Sequence, residues 1–562
     1  MKKHIIRAVA VMLLTVMLVT AFASCGVMGD KNGDTEKEVT DIDSSSEVEE
    51  TEDTEKAEAT EDTEDIEDTS DVEETESEDV TEDTEADESE SSDVTDTSSA
   101  ETETDEGVQK YESYPYELMD LNRREFRILN CLRDQWDTIS YVTADEVQGS
   151  AINDEVYRRT NYIEKTLNCR LTETNYHNSK LSEQFMIDHQ SGLGELALSY
   201  IQTAGNYGSL VTHMLEGRLA NLDDITTINL DEYYYVGYLT DAMSLGGRHY
   251  TTASDMQINY YEGAWVILFN GDILTENGIE YPYELVRNNE WTFEALTIMA
   301  RQAAFQGTAA DWTFVSGGDT VYGLSFHYDG INAMMTSMGA QYGRKDKDDL
   351  PLITCQSLAF KDRAGVLGEF FLSTDGAWLK GSGDDSTGRN PRDLFIQERI
   401  AFAGTALSIM KLATSTSEIP VGIVPMPKYD LDQENYICDA GRSGNSPVIS
   451  SNYEYKDEIG LVFDLMSYEA NRTFEQMYFV DHLELRANTS DSMAIDNIEM
   501  LRLIRQSITV DTALMLGVAV DLCNAITASL EKGGGNLSST IDANIESANT
   551  NCNAIRDMFK NQ

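Results

Sequence analysis

From Asp30 to Gly107 the chain is almost wholly Glu, Asp, Thr and Ser, and this stretch limits what the rest can become. It holds 37 acidic and 3 basic residues, a net charge of −34, and no aromatic side chain. Near-repeats such as Thr51-Glu52-Asp53-Thr54 and Thr60-Glu61-Asp62-Thr63 run through it. A segment of this kind cannot bury enough apolar surface to offset the entropy of ordering its backbone, so it is expected to stay disordered. As a flexible chain it would average about 50 Å end to end, and its own charge extends it further. Composition reads as a spacer; only the charge speaks for a cation-buffering or partner-binding tail. Any folded body must come from the 455 residues of 108–562.

Ahead of the spacer, Lys2, Lys3 and Arg7 precede an apolar stretch from Ala8 to Ala21, followed by Phe22-Ala23-Ser24-Cys25. The apolar stretch is too short for a comfortable bilayer span, and its flanks suit export followed by cleavage. Small residues ending at a cysteine resemble a bacterial lipoprotein signal, with 1–24 removed and Cys25 the lipidated first mature residue, carrying an acyl anchor such as palmitate. Phe22 stands where such signals usually carry Leu, which leaves a plain secretory cleavage site open. On this reading 25–107 is a lipidated cysteine and acidic stalk, and the protein sits on the extracellular face of the cell membrane. Cytoplasmic enzyme functions then drop out.

The remainder, 108–562, still carries a net charge of −30, which repels nucleic acid and anionic headgroups. No nucleic-acid partner is expected; a neutral or cationic small ligand fits better. Six cysteines follow Cys25: Cys131, Cys169, Cys355, Cys438, Cys523 and Cys552. They allow 15 pairings, none forms a C-x-x-C, and spacing does not separate bridges from buried thiols. No metal site or cofactor is expected.

Phe126 to Asn130, Arg170 to Thr174 and Leu196 to Ile201 read as strands. Between and after them, Ile152, Val156, Ile163 and Leu167 recur at helical spacing, and Leu181–His189 and Ser209–Glu216 read as helices. Strand and helix in turn point to βαβ units and an open, largely parallel sheet. The last third carries three apolar helical stripes: Ile459, Val462, Phe463 and Met466; Ile498, Leu501, Ile504 and Ile508; and Ile541 through Phe559. Thr292 is placed to cap a helix starting at Phe293, with Trp291 packed at its entrance.

Several segments, in order, resemble the extracellular solute-binding proteins of ABC importers, in the maltose-binding-protein-like group (family 1). Gly217-Arg218-Leu219-Ala220-Asn221-Leu222-Asp223-Asp224 resembles "G-x-L-x-D-L", and Leu268-Phe269-Asn270-Gly271-Asp272-Ile273-Leu274-Thr275-Glu276-Asn277-Gly278 resembles "Y-N-K-D-L-F-E-E-x-G". Glu290-Trp291-Thr292-Phe293-Glu294-Ala295-Leu296 matches "x-W-T-W-D-E-L". Phe402 to Met410 resembles "F-x-x-G-x-A-A-M", and Gly422 to Lys428 matches "G-x-x-P-x-P-K". The resemblance implies an α/β, two-lobed periplasmic-binding-protein-like fold with a hinge and a helical C-terminal part. It implies a first lobe of about 120–265 and 395–450 and a second of about 266–394 and 451–562. It also implies a substrate-binding lipoprotein, most simply for a carbohydrate, that hands its solute to an ABC permease in the membrane.

Sugar sites combine flat aromatic faces with planar polar groups, and in open α/β sheets they lie beyond the carboxyl ends of strands. Trp136 and Asp137, after the first strand, fit that demand, as do Gln202, Asn206 and Tyr207 at and after the third. Gln257, Tyr260 and Tyr261 fall near the expected first crossing between lobes, and Trp312, Tyr328, Trp378 and Arg442 are candidates from the second lobe and the return crossing. Tyr233-Tyr234-Tyr235 is a poorer candidate, since a consecutive run points rings to both faces. No catalytic residue stands out. There is no His-Glu-x-x-His, no Walker A and no nucleophile elbow, and Gly441-Arg442-Ser443-Gly444 misses the elbow spacing. Asp430 begins like a calcium loop whose sixth position is Asn435 instead of Gly. An anchored glycoside hydrolase or a non-transport sugar sensor is the alternative, with 64 acidic residues in 108–562 hiding any catalytic pair.

Overall fold

The structure, a computed structural model, describes residues 114–132, 142–149, 151–203, 209–383, 385–409, 419–440, 444–474 and 491–560. The signal, Cys25 and the acidic segment lie outside the described residues.

In chain order the first elements are β1 (Arg124–Cys131), α1 (Ala151–Leu167), β2 (Cys169–Tyr176), α2 (Asn178–Ser191) and β3 (Leu196–Gln202). Each matches a segment expected from periodicity. They are followed by β4 (Trp265–Asn270), α3 (Phe293–Ala303), β5 (Tyr322–Phe326), α4 (Tyr328–Ser337), β6 (Gly343–Lys345), β7 (Pro351–Ile353), α5 (Leu358–Phe371) and β8 (Trp378–Lys380). The chain continues with β9 (Ile400–Ala406), β10 (Val421–Pro425), β11 (Cys438–Asp439), β12 (Asn445–Val448) and α6 (Lys456–Glu469). It closes with α7 (Asp491–Ser507), β13 (Ile508–Thr509), α8 (Val520–Leu530) and α9 (Leu537–Lys560), the helical end that the three apolar stripes predict.

Two sheets carry the fold. The first has the order β12-β3-β1-β2, with β1 parallel to both β2 and β3 and β12 antiparallel on the edge of β3. Phe126 and Ile128 of β1 are fully buried, as are Val156, Ile163 and Leu167 of α1 and Leu181 of α2, so the helical stripes and the strand's apolar positions all enter the hydrophobic core. The second sheet runs β10-β4-β9-β5-β8; β5 is parallel to β8 and β9, whereas β4 is antiparallel to β9 and β10.

Thr292 caps α3 as expected, its side-chain oxygen accepting from the Ala295 N–H at 3.2 Å. Trp291 is fully buried and its Nε1–H donates to the Pro425 carbonyl at 2.8 Å, the packing role assigned to it. Two expectations need correcting. The boundary at 395 put β9 and β10 with the first lobe, but both pair with β4 in the second sheet. Conversely α6, expected in the second lobe from residue 451, packs against α1 and β3 of the first sheet. The strand-like runs of 400–425 carry no mark of which sheet they join; backbone pairing decides it. The six cysteines of the body are all unbridged, and all but Cys169 are buried.

Candidate ligand-binding site

β5 and β8 lie side by side and parallel, so their carboxyl ends reach the same edge of the second sheet. A hollow of about 70 Å³ opens there, lined by Phe326, His327, Tyr328, Ile331, Phe371, Trp378, Lys380 and Glu531. Two residues picked from sequence, Tyr328 and Trp378, therefore meet across fifty residues of chain. Tyr328 is 55% exposed. Trp378 is half-buried, stacked on Phe371 with ring centroids 4.6 Å apart and tilted against Phe326 at 4.5 Å. Its back is packed, and it enters the hollow as a braced aromatic wall.

Local chemistry sets the floor of this site. His327 caps α4 by accepting the Asp329 N–H on Nδ1 at 3.3 Å, and its ring meets the edge of Trp265 at 5.2 Å. A Cβ on Gly330 would come within 2.8 Å of Phe326 Cβ and 2.9 Å of Trp265, so glycine is required for the first turn of α4 to close onto both rings. Burial lowers the His327 pKa, with Asp329 opposing, so the ring is neutral at pH 7 and has one donor and one acceptor nitrogen. Lys380 and Glu531 form an ion pair at 2.8 Å on the rim. Aromatic faces, a neutral imidazole and a charge-balanced rim suit a neutral polyhydroxylated ring. Among the described residues no three His, Cys, Asp or Glu side chains gather as a metal site, and no helix is long and apolar enough to cross a membrane.

The other candidates fall elsewhere. Tyr260 and Tyr261, both 2% exposed, and Gln257, fully buried, belong to the crossing into β4 instead of lining the hollow. The Tyr260 hydroxyl bonds the Ser446 and Thr203 hydroxyls at 2.7 and 3.1 Å, and Tyr261 donates to Asp255 at 2.7 Å. Gln257 Oε1 accepts from the Ser254 N–H at 2.7 Å, while its Nε2 has no partner among the described residues. Gln202 is 5% exposed at the end of β3, opposite Asn445 of β12. In sequence, tyrosines and a glutamine read alike whether they face a ligand or knit a crossing. Trp312 packs beneath Gly376 and beside Tyr322. Tyr234 and Tyr235 are core residues donating to Asp464. Trp136, Asp137, Asn206, Tyr207 and Arg442 lie outside the described residues.

Sequence reasoning missed His327, Lys380 and Glu531. Lys380 carried a signal, because it lies two residues after Trp378 on a strand and so shares its face. Glu531, at the end of α8, carried none.

No protein-family model and no curated protein matches this chain. Solved structures do. UspC of M. tuberculosis aligns at a TM-score of 0.51 and 11% identity, over 76% of this chain and 100% of its own. A cyclo/maltodextrin-binding protein complexed with maltotetraose aligns at 0.50 and 12%, over 76% and 97%. A sugar transporter protein from Rhizobium etli, in an open conformation, aligns at 0.50 and 14%, over 76% and 99%. The body of this chain thus has the two-lobed α/β fold that these structures share.

Proposed function

We propose that the protein is the substrate-binding component of an ABC importer, held at the extracellular face of the membrane through Cys25. It captures a small solute, a carbohydrate in this reading, between its lobes and delivers it unaltered to a permease. The observation that carries the proposal is the meeting of Tyr328 and Trp378 in one hollow at the carboxyl edge of the second sheet. At about 70 Å³ that hollow is well below the 300 Å³ or more of a typical complete ligand pocket, so it supplies one wall. The opposing wall then falls to the first lobe. Trp136 and Asp137 follow β1 in sequence, Asn206 and Tyr207 follow β3, and Arg442 precedes β12. Ligand touching both walls would favour the closed form, since only differential affinity shifts an equilibrium between two states.

Isothermal titration against a panel of neutral oligosaccharides, with product analysis of the same samples, tests this. The expected result is binding without turnover. Tyr328→Ala should lower affinity by about 1–2 kcal/mol, roughly tenfold, and leave the melting temperature unchanged because the ring is exposed. Trp378→Ala should lower both, because its ring also braces Phe371. Cleaved sugar would favour an anchored glycoside hydrolase and overturn the importer reading.

A further inference from the structure

Asp255 ties together three stretches of chain that serve different lobes. The residue before it belongs to the first lobe: Ser254 bridges to Tyr235, and its hydroxyl accepts from Ser467 of α6 at 3.1 Å. Ten residues later the chain enters the second sheet as β4. Asp255 itself is 3% exposed. Its Oδ2 accepts from Asn471 Nδ2 at 2.7 Å, just past the end of α6. Its Oδ1 accepts from the Tyr261 hydroxyl at 2.7 Å and from Arg505 at 2.8 Å. Arg505 lies near the end of α7, which is seated on the second sheet: Asn497 of the same helix accepts from the Ile423 N–H and donates to the Val421 carbonyl, both at 2.9 Å. Arg505 also lies 5.2 Å over the Tyr261 ring. Directly after it, β13 pairs in parallel with β11, which is part of the return path toward β12.

We propose that Asp255 is the pivot pin of lobe movement, a positioning residue that sets the angle between the lobes without touching ligand. This rests on the two-lobe capture reading above. One carboxylate receives a first-lobe donor on one oxygen and a second-lobe donor on the other, so any rotation between lobes must turn about it or break a bond to it. With Asp255 buried and Arg505 only partly exposed, the charge pair adds little net stability over an apolar replacement of the same shape, but it specifies geometry, because a misplaced partner leaves the buried charge unpaired. The pin therefore narrows the range of lobe angles more than it strengthens the fold.

The test uses the full chain carrying one fluorophore at Leu193 and another at Leu358, exposed positions on the first and second lobes. Single-molecule energy transfer then reports the inter-lobe distance without added sugar. Asp255→Asn and Arg505→Lys should each roughly double the width of the distance distribution, and the double variant should add little to either. Asp464→Asn, at an equally buried carboxylate inside the first lobe, should leave the distribution as it is. If Asp255→Asn fails to fold, Asn471→Ser removes the first-lobe arm alone and should broaden the distribution in the same way. Folded variants with the wild-type distribution would overturn the pin. A wild-type distribution that no oligosaccharide in the panel shifts would instead count against solute capture, and leaves the comparison among variants readable.

Discussion

Asp464, fully buried on α6, accepts hydrogen bonds from the hydroxyls of Tyr114, Tyr234 and Tyr235 at 2.8, 2.9 and 2.7 Å. Burial still dominates and pushes its pKa up to about 6, with the three hydroxyls opposing. An exposed Asp titrates near 3.9, so the folded chain keeps this proton where the unfolded chain has lost it. The resulting stabilisation is full below about pH 4 and is lost as pH rises through about 6, a change of about 3 kcal/mol. Asp511, also pushed to about 6 by burial, acts in the same sense. His213, held at about 3 by burial and by Arg218, acts in the opposite sense as pH falls below about 6.5. The opposing slopes call for a comparison with a variant. Urea unfolding of Asp464→Asn should show the variant gaining about 3 kcal/mol on the wild type between pH 4 and pH 7. Parallel pH profiles would refute this. At this scale the sequence showed the residue types but not their surroundings. The run Tyr233-Tyr234-Tyr235 was visible, while the carboxylate that two of those rings serve lies 230 positions away.

At the scale of elements, periodicity was sufficient where an element has one buried face. α1, α2, α6 and α9 follow their apolar stripes, and β1, β2 and β3 follow their apolar runs. The Thr292 cap was legible because capping is local chemistry. Membership of β9 and β10 in the second sheet was not legible, since all-buried strands read the same in either sheet. Close approach between elements is equally hidden. A Cβ on Gly323 of β5 would lie 2.2 Å from the Ala300 carbonyl oxygen of α3, a backbone atom that cannot swing aside. Gly323→Ala should therefore cost about 1–3 kcal/mol by pushing α3 off the sheet, measurable as a lowered urea midpoint. Retention of the wild-type midpoint would show that helix and strand are looser than their spacing indicates.

For the whole molecule, cysteine number left bridges and thiols equally open, and the fold resolves it in favour of thiols. Burial pushes the Cys169, Cys355 and Cys438 thiols up to about 12, so little reactive thiolate exists near pH 8. A disulfide reagent should titrate six thiols beyond Cys25 in urea. It should react at least about 100-fold more slowly with the folded protein, at half-buried Cys169 first. A count of four in urea would instead reveal one bridge.

Composition and period by themselves determined that the acidic 30–107 segment lacks the apolar surface for a core, and that the body alternates strand and helix before a helical end. These follow from how much each short window can bury, which neighbours in sequence decide. Only the tertiary structure decided that Glu531 pairs with Lys380 beside Trp378, or that Asp255 joins Arg505 to Asn471. Contacts between residues so far apart in sequence depend on strand order and helix seating, and no local spacing encodes either.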